Sequence, residues 1–250
     1  MSEMTNTLGA TLAARLAWPA GPRPAWGFWA TSAWGAAAIG VYLGAAILTS
    51  LVVMDWRPVI GLEPTAGTIL GGALAIAVVL VAIRYTGLPW RDHLALRRPE
   101  RIDFQFGLVC ILFLVGAYAV MDHFLGDRSP MRASSELFRS LQVHGMLVPF
   151  ALAGVVVAPV AEELVFRGFL YRGWSPGLLG VAGTILLTSL LWSVLHMKPT
   201  PGESLPILCV GLLLGTVRWL SGSTSLTIGI HMAHNAVVVA WASTIAAPLV

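Results

Sequence analysis

An all-α polytopic membrane protein is the fold class this sequence predicts, and three observations predict it. Hydrophobic residues make up 57% of the 250 positions and charged residues only 11%, far from the balance of an ordinary soluble domain. Mean hydropathy is +0.80. Apolar runs long enough to cross a ~30 Å hydrocarbon core, about 20 residues at helical rise, recur along most of the chain. The expectation is one transmembrane domain over 1–250, a bundle of about seven helices within a range of six to eight.

In chain order, residues 1–25 carry Arg15 and Arg23 ahead of the first long apolar stretch. The part from Thr5 to Trp18 mixes small and apolar residues with an arginine, so this segment is expected to lie on the membrane surface or to be disordered. The apolar stretch beginning near Trp26 is too long for a signal-peptide core and reads as a retained span. Hydropathy then places spans at 28–54, 66–84, 104–122, 142–172, 183–197, 204–220 and 225–247. Trp26, Trp29, Trp56, Trp90, Trp174 and Trp219 fall near the proposed span ends, as aromatic belts do. Pro159 sits inside the fourth span and predicts a kink or a new helical segment. The stretch from Gly173 to Gly183 reads as the reversal after it, and Ser221-Gly222-Ser223 as the turn before the last span.

Basic residues orient the bundle. With the N-terminus inside, Arg15, Arg23, Arg84, Arg91, Arg97, Arg98, Arg101, Arg167, Arg172 and Arg218 fall on one side, against Arg57, Arg128, Arg132, Arg139 and Lys198 on the other. Asp122, Asp127 and Glu136 offset arginines in the presumed outer loop. The expected topology is N-terminus cytoplasmic and C-terminus external, in a bacterial inner membrane. The net charge of +3 and pI near 9.2 follow from this distribution. Because no long basic run exists, the expected surroundings are the lipid bilayer, with no nucleic acid partner. Cys110 and Cys209 both lie in apolar segments and read as small buried hydrophobes.

Against this background three polar constellations stand out. The first runs from Ala158 to Gly168 and holds Glu162, Glu163 and Arg167. A charge near a bilayer centre costs at least ~2.5–3.5 kcal/mol on insertion scales, so a carboxylate pair there points first to a functional site. Glu163 and Arg167 are i and i+4 and can pair on one helix face, whereas Glu162 is turned about 100° away. One carboxylate can then be structural while its neighbour stays free for chemistry. A buried ion pair that only fixes helix register is the alternative, and it needs just one carboxylate.

The second constellation is Trp192-Ser193-Val194-Leu195-His196, where the histidine alone would read as an interfacial or packed residue. Trp192 lies one turn before it and can wall a dry pocket or pack in the bundle. The third is His231-Met232-Ala233-His234-Asn235. His231 and Asn235 are i and i+4, either two donors into one cavity or helix-to-helix cross-links. His234 sits between them and His144 has no polar neighbour at helical spacing, so packing is the default for His144. Counting from the reversals, Glu162 lies ~15 Å deep, His196 ~20 Å, and His231 and Asn235 ~9–15 Å. The levels are compatible, and they set the site between helices four, five and seven, toward the cytoplasmic half.

Glu-Glu-x-x-x-Arg, aromatic-x-x-x-His and His-x-x-x-Asn in this order resemble the motifs of the CPBP intramembrane proteases. That family includes the type II CAAX prenyl endopeptidases, bacteriocin-processing and self-immunity proteins, and lysostaphin-resistance-like proteins. The likeness covers a catalytic core at roughly 140–245 and departs at Trp192, where the family usually has phenylalanine. It implies Glu162 as general base with His196 assisting the activation of water, and His231 with Asn235 as oxyanion hole. Glu163 and Arg167 would brace the site, with Trp192 and Phe166 as pocket walls. The implied activity is an intramembrane endopeptidase acting on a membrane-anchored or lipidated protein or peptide.

Residue chemistry agrees in part. No serine or cysteine is paired with a base in a way that suggests a covalent nucleophile; Ser193 has no acid beside it. No cofactor or metal is expected. The alternative is zinc on Glu162, His196 and His231, since this family has long been described as metalloproteases; the sequence has no His-Glu-x-x-His and asparagine is a poor zinc ligand. Two other classes compete. A proton-coupled transporter would use the same carboxylates and histidines, but the first three spans carry almost no interior polar groups. A non-catalytic immunity protein would have no need of the full set of motif residues.

Overall fold

The computed structural model describes residues 26–56, 60–126, 129, 132, 135–196 and 201–246; within 54–56, 201–203 and at 246 it describes backbone only. The expected surface segment at 1–25, and Arg57, Asp127, Arg128 and Lys198 of the charge count, lie outside the described residues.

Among the described residues the chain is helical and has no strand. Helix α1 spans Phe28–Trp56, α2 Leu62–Arg84, α3 the single turn Trp90–His93, and α4 Arg101–Leu125. A short amphipathic helix follows, α5 at Ser135–Val143. The long α6 at Leu147–Trp174 comes next, and α7 is Gly180–Leu195. Helices α8 at Pro201–Ser221 and α9 at Thr224–Ala246 complete the bundle. Among the described residues six helices are long and apolar enough to cross a membrane; α7, also apolar, has 16 residues. All seven expected spans are thus occupied by apolar helices, and the fifth is the short one. At 1.5 Å per residue α7 rises only ~24 Å, short of the ~30 Å hydrocarbon core.

Most helices run a few residues beyond the expected spans, and two boundaries fall short of expectation. The fourth helix begins at Leu147, not 142, because Gly145 takes a left-handed backbone (φ 67) and breaks the chain between α5 and α6. Residues 135–143 instead form α5, whose Phe138 packs on Ala242 of α9. The fifth ends at Leu195, with His196 as its non-helical cap residue.

Large apolar side chains cover the outer faces, among them Ile47, Leu51, Phe104, Phe113 and Leu186. A water-facing surface of that kind would aggregate, and a lipid-facing one is satisfied. The inside is held by close packing and by polar groups, since lipid removes the hydrophobic drive between helices. On α2, a Cβ at Gly71 would lie 2.9 Å from the Tyr42 carbonyl of α1, and one at Gly72 3.3 Å from Ala161 of α6. These two glycines bring α1 and α6 against different flanks of α2.

The arginines divide in a way the sequence did not show. Arg167 and Arg218 are both fully buried in the bundle, and so mark no loop. Arg97 lies where its side chain bonds the carbonyls of Ser221 and Gly222, while Arg172 donates to Asp92 O at 3.0 Å. These bonds tie residues 92–97 over the ends of α6 and α8.

Candidate active site

The site grows out of an irregularity in α6. Two wide π-type turns interrupt it, Ala153–Val157 and Leu164–Leu170, on either side of the helical turn Ala158–Glu163. Pro159 accounts for the first. Its ring would strike the carbonyl one turn back in a regular helix, and widening the turn moves that carbonyl aside. In the wide turn the Ala158 N–H reaches back to Ala153 O. The residue that would serve Gly154 O in the same register is Pro159, which has no N–H. Asn235 fills the place, donating from Nδ2 to Gly154 O at 2.9 Å.

Glu162 and Glu163 leave α6 in different directions, as their 100° separation requires. Glu163 is fully buried. Its Oε1 accepts from Arg167 Nη1 at 2.9 Å and lies 3.1 Å from His231 Nδ1. Arg167 donates a second time, to Gly211 O at 3.0 Å. Glu162 is 13% exposed and borders a cavity of about 250 Å³. Its Oε2 accepts from the Trp192 indole N–H at 2.6 Å, and its Oε1 faces His196 Nε2 at 3.7 Å. His231 Nε2 stands 4.0 Å from Oε2.

The tautomers follow from the partners. His196 Nδ1 lies 2.9 Å from the Trp192 carbonyl, an acceptor only, so it carries the proton and the neutral ring turns a bare Nε2 toward Glu162. His231 Nδ1 donates to the Glu163 carboxylate, so its Nε2 also turns toward Glu162. This second ring gives an N–H to the site only as the imidazolium.

Glu162, Glu163, Arg167, Trp192, His196 and His231 are therefore in one cluster. Phe166 lines the cavity, as does Trp192. Asn235 is tied elsewhere: its Nδ2 crosses to Gly154 O of α6, and its Oδ1 lies 3.0 Å from Nδ1 of its neighbour His234 on the same helix. His144 is exposed and lies 2.8 Å from Ser140 O through Nδ1, a local contact.

Two further parts were not read from the sequence. Helices α1 and α2 wall the cavity with Ala38, Ile39, Tyr42, Leu43 and Ala75, so the pocket is not confined to helices four, five and seven. These residues are ordinary membrane apolar types apart from Tyr42. The other is the pair of wide turns, of which Pro159 was the only trace.

Apart from Asn235 the motif residues thus gather in one cluster, and a comparison with known families covers the same stretch. Residues 144–237 are Rce1-like. They match the family model described as type II CAAX prenyl endopeptidase Rce1-like. No curated protein and no solved structure matches the chain. The Rce1-like stretch contains every motif residue and lies within an integral membrane helical bundle. The match supports an intramembrane CAAX-type protease in general terms.

The donor types also suit zinc: both histidines hold Nδ1–H on an acceptor and aim Nε2 at a carboxylate. Ligand atoms at 2.0–2.2 Å from a tetrahedral zinc stand roughly 3.3–3.6 Å apart, and the gaps here are somewhat wider, 3.7 and 4.0 Å. Among the described residues no three of His, Cys, Asp or Glu stand close enough to hold a metal.

Proposed function

We propose that the protein is an intramembrane endopeptidase that cleaves a membrane-anchored or lipidated protein or peptide, with Glu162 and His196 activating the attacking water. The observation that carries this reading is Glu162 Oε1 facing His196 Nε2 across 3.7 Å at the edge of a cavity. The gap is too wide for a hydrogen bond and suits a water held at ~2.8 Å from both atoms. Glu162 takes a proton from that water as it attacks the scissile carbonyl, and the carboxylic acid or the His196 ring returns it to the leaving amine.

The developing oxyanion needs donors. His231, protonated on Nε2 and braced by Glu163 on Nδ1, supplies one; Asn235, with one amide hydrogen committed to Gly154, supplies its second. Glu163 and Arg167 hold this arrangement without touching substrate. The cavity's other walls are apolar, and Leu43 and Leu195 on its rim are partly open to the lipid face. A substrate held in the bilayer by an apolar segment or a lipid chain suits such an opening. Cytoplasmic N-terminus, external C-terminus and bacterial inner membrane belong to the same proposal, resting on the arginine bias.

The test is cleavage of membrane-anchored test peptides by the protein in proteoliposomes, comparing wild type with Glu162→Gln, His196→Ala and His231→Ala. Each substitution is expected to lower kcat by at least roughly 100-fold, the scale of general acid–base and oxyanion contributions. Full activity in Glu162→Gln would refute the base assignment. Activity is expected to survive strong chelators; loss with rescue by zinc alone would move the mechanism to the metal reading that the two converging Nε2 atoms favour.

A further inference from the structure

We propose that Trp192 is a positioning residue for Glu162: its indole N–H holds Oε2 and thereby assigns Oε1 to face His196. The inference deepens the catalytic reading above and rests on Glu162 being the base.

A carboxylate at the end of a glutamate side chain turns easily, because its last torsion has a broad minimum. In Glu162 the two oxygens have different neighbours. Oε2 receives the indole N–H at 2.6 Å, a short bond of the charge-assisted kind. Oε1 looks across 3.7 Å to His196 Nε2. Without a fixed donor on one oxygen, either could take either place, and the His196 side would meet a partly rotated carboxylate.

The indole is itself held in place. It is 4% exposed. Its ring lies 4.6 Å from the His196 ring, and 5.4 Å from that of His231 in an edge-on contact at 86°. The Arg167 guanidinium sits over it at 5.4 Å. The Trp192 carbonyl receives His196 Nδ1–H. Trp192 thus touches Glu162, Arg167, His196 and His231 and, through two different atoms, orients both partners of the water. A phenylalanine would fill the slot and keep the ring contacts, yet it has no N–H for Oε2. The N–H is the separable part.

The experiment compares wild type, Trp192→Phe, Trp192→His and Glu162→Gln in the same proteoliposome cleavage assay. Loss of the donor in Trp192→Phe is expected to lower kcat roughly 10- to 100-fold, the scale of one hydrogen bond to a charged group, with KM within about twofold. Trp192→His, which retains a ring N–H, recovers part of that loss. Wild-type kcat in Trp192→Phe overturns the proposal, and so does a rise in KM alone, which is the signature of a mere wall.

If Glu162→Gln keeps its activity, the base reading itself has failed; if it is inactive while Trp192→Phe is unimpaired, only the present proposal has. Should Trp192→Phe not be recovered folded, the infrared difference spectrum of wild type against Glu162→Gln decides. Carboxylate bands that shift on N–H/N–D exchange support the bond, and bands that do not shift refute it.

Discussion

Arg167 is fully buried and answers to several groups at once. It pairs with Glu163, donates to Gly211 O and covers the Trp192 ring, while its own carbonyl accepts from Arg218 Nε at 2.9 Å. A buried pair adds little net stability, but removing one partner leaves the other charge stranded. Arg167→Met is therefore expected to destabilise the protein by about 3–5 kcal/mol, read as a large drop in Tm in detergent. Adding Glu163→Gln is expected to restore much of that drop, and a double variant as unstable as the single would contradict the pairing. This pair was legible from i, i+4 spacing alone, because a helix fixes which neighbours share a face. The hydrogen-bonding states of His196 and His231 were not legible. They depend on which acceptors lie against each Nδ1, and one of these, Glu163 for His231, is 68 residues away.

At the scale of elements, α6 is the part whose backbone departs from regularity to make the site. Pro159 announced an irregularity but not its form. A kink and a wide turn both relieve the same clash, and packing against α9 through Gly154 and Asn235 goes with the second. Pro159→Ala is expected to supply the missing N–H, let the turn regularise and turn Glu162 out of line with His196. The protein should stay folded, with Tm no lower than wild type, while cleavage falls on the order of 10- to 100-fold, as misplacement of a reacting group does. Unchanged cleavage would show that the wide turn does not set the geometry. The start of the fourth span was misplaced for a related reason: hydropathy runs on through 142–147, whereas the positive φ of Gly145 divides it.

For the whole molecule, residues 92–97 join the ends of α6, α8 and α9: besides the arginine bonds, Thr224 N–H donates to Ala95 O at 3.0 Å and Ser223 Oγ to Arg97 O at 2.8 Å. Within this strap His93 is buried and stacked on Phe169 at 5.7 Å. Burial, and next to it the Arg172 charge, lower its pKa from 6.5 to about 4. The folded protein therefore holds His93 neutral while the unfolded chain takes up a proton below pH 6.5. Its share of stability is complete above about pH 6.5, declines as pH falls toward about 4 and is gone below that. Thermal unfolding in detergent across this window is expected to show the decline, and His93→Phe to remove that component; an equal slope in the variant would contradict it.

Composition and periodicity alone determined that the chain is a membrane-embedded helical bundle, where its apolar segments lie, and which polar residues stand apart in them. Those properties are local: a hydrophobic run, a 3.6-residue repeat and a charge in lipid are each readable within one segment. Only the tertiary structure decided that α1 and α2 close the cavity, that Asn235 serves the carbonyl orphaned by Pro159, and that Trp192 bonds Glu162. These depend on contacts between helices, which small residues such as Gly71 and Gly72 permit, and a hydropathy pattern carries no record of which helix faces which.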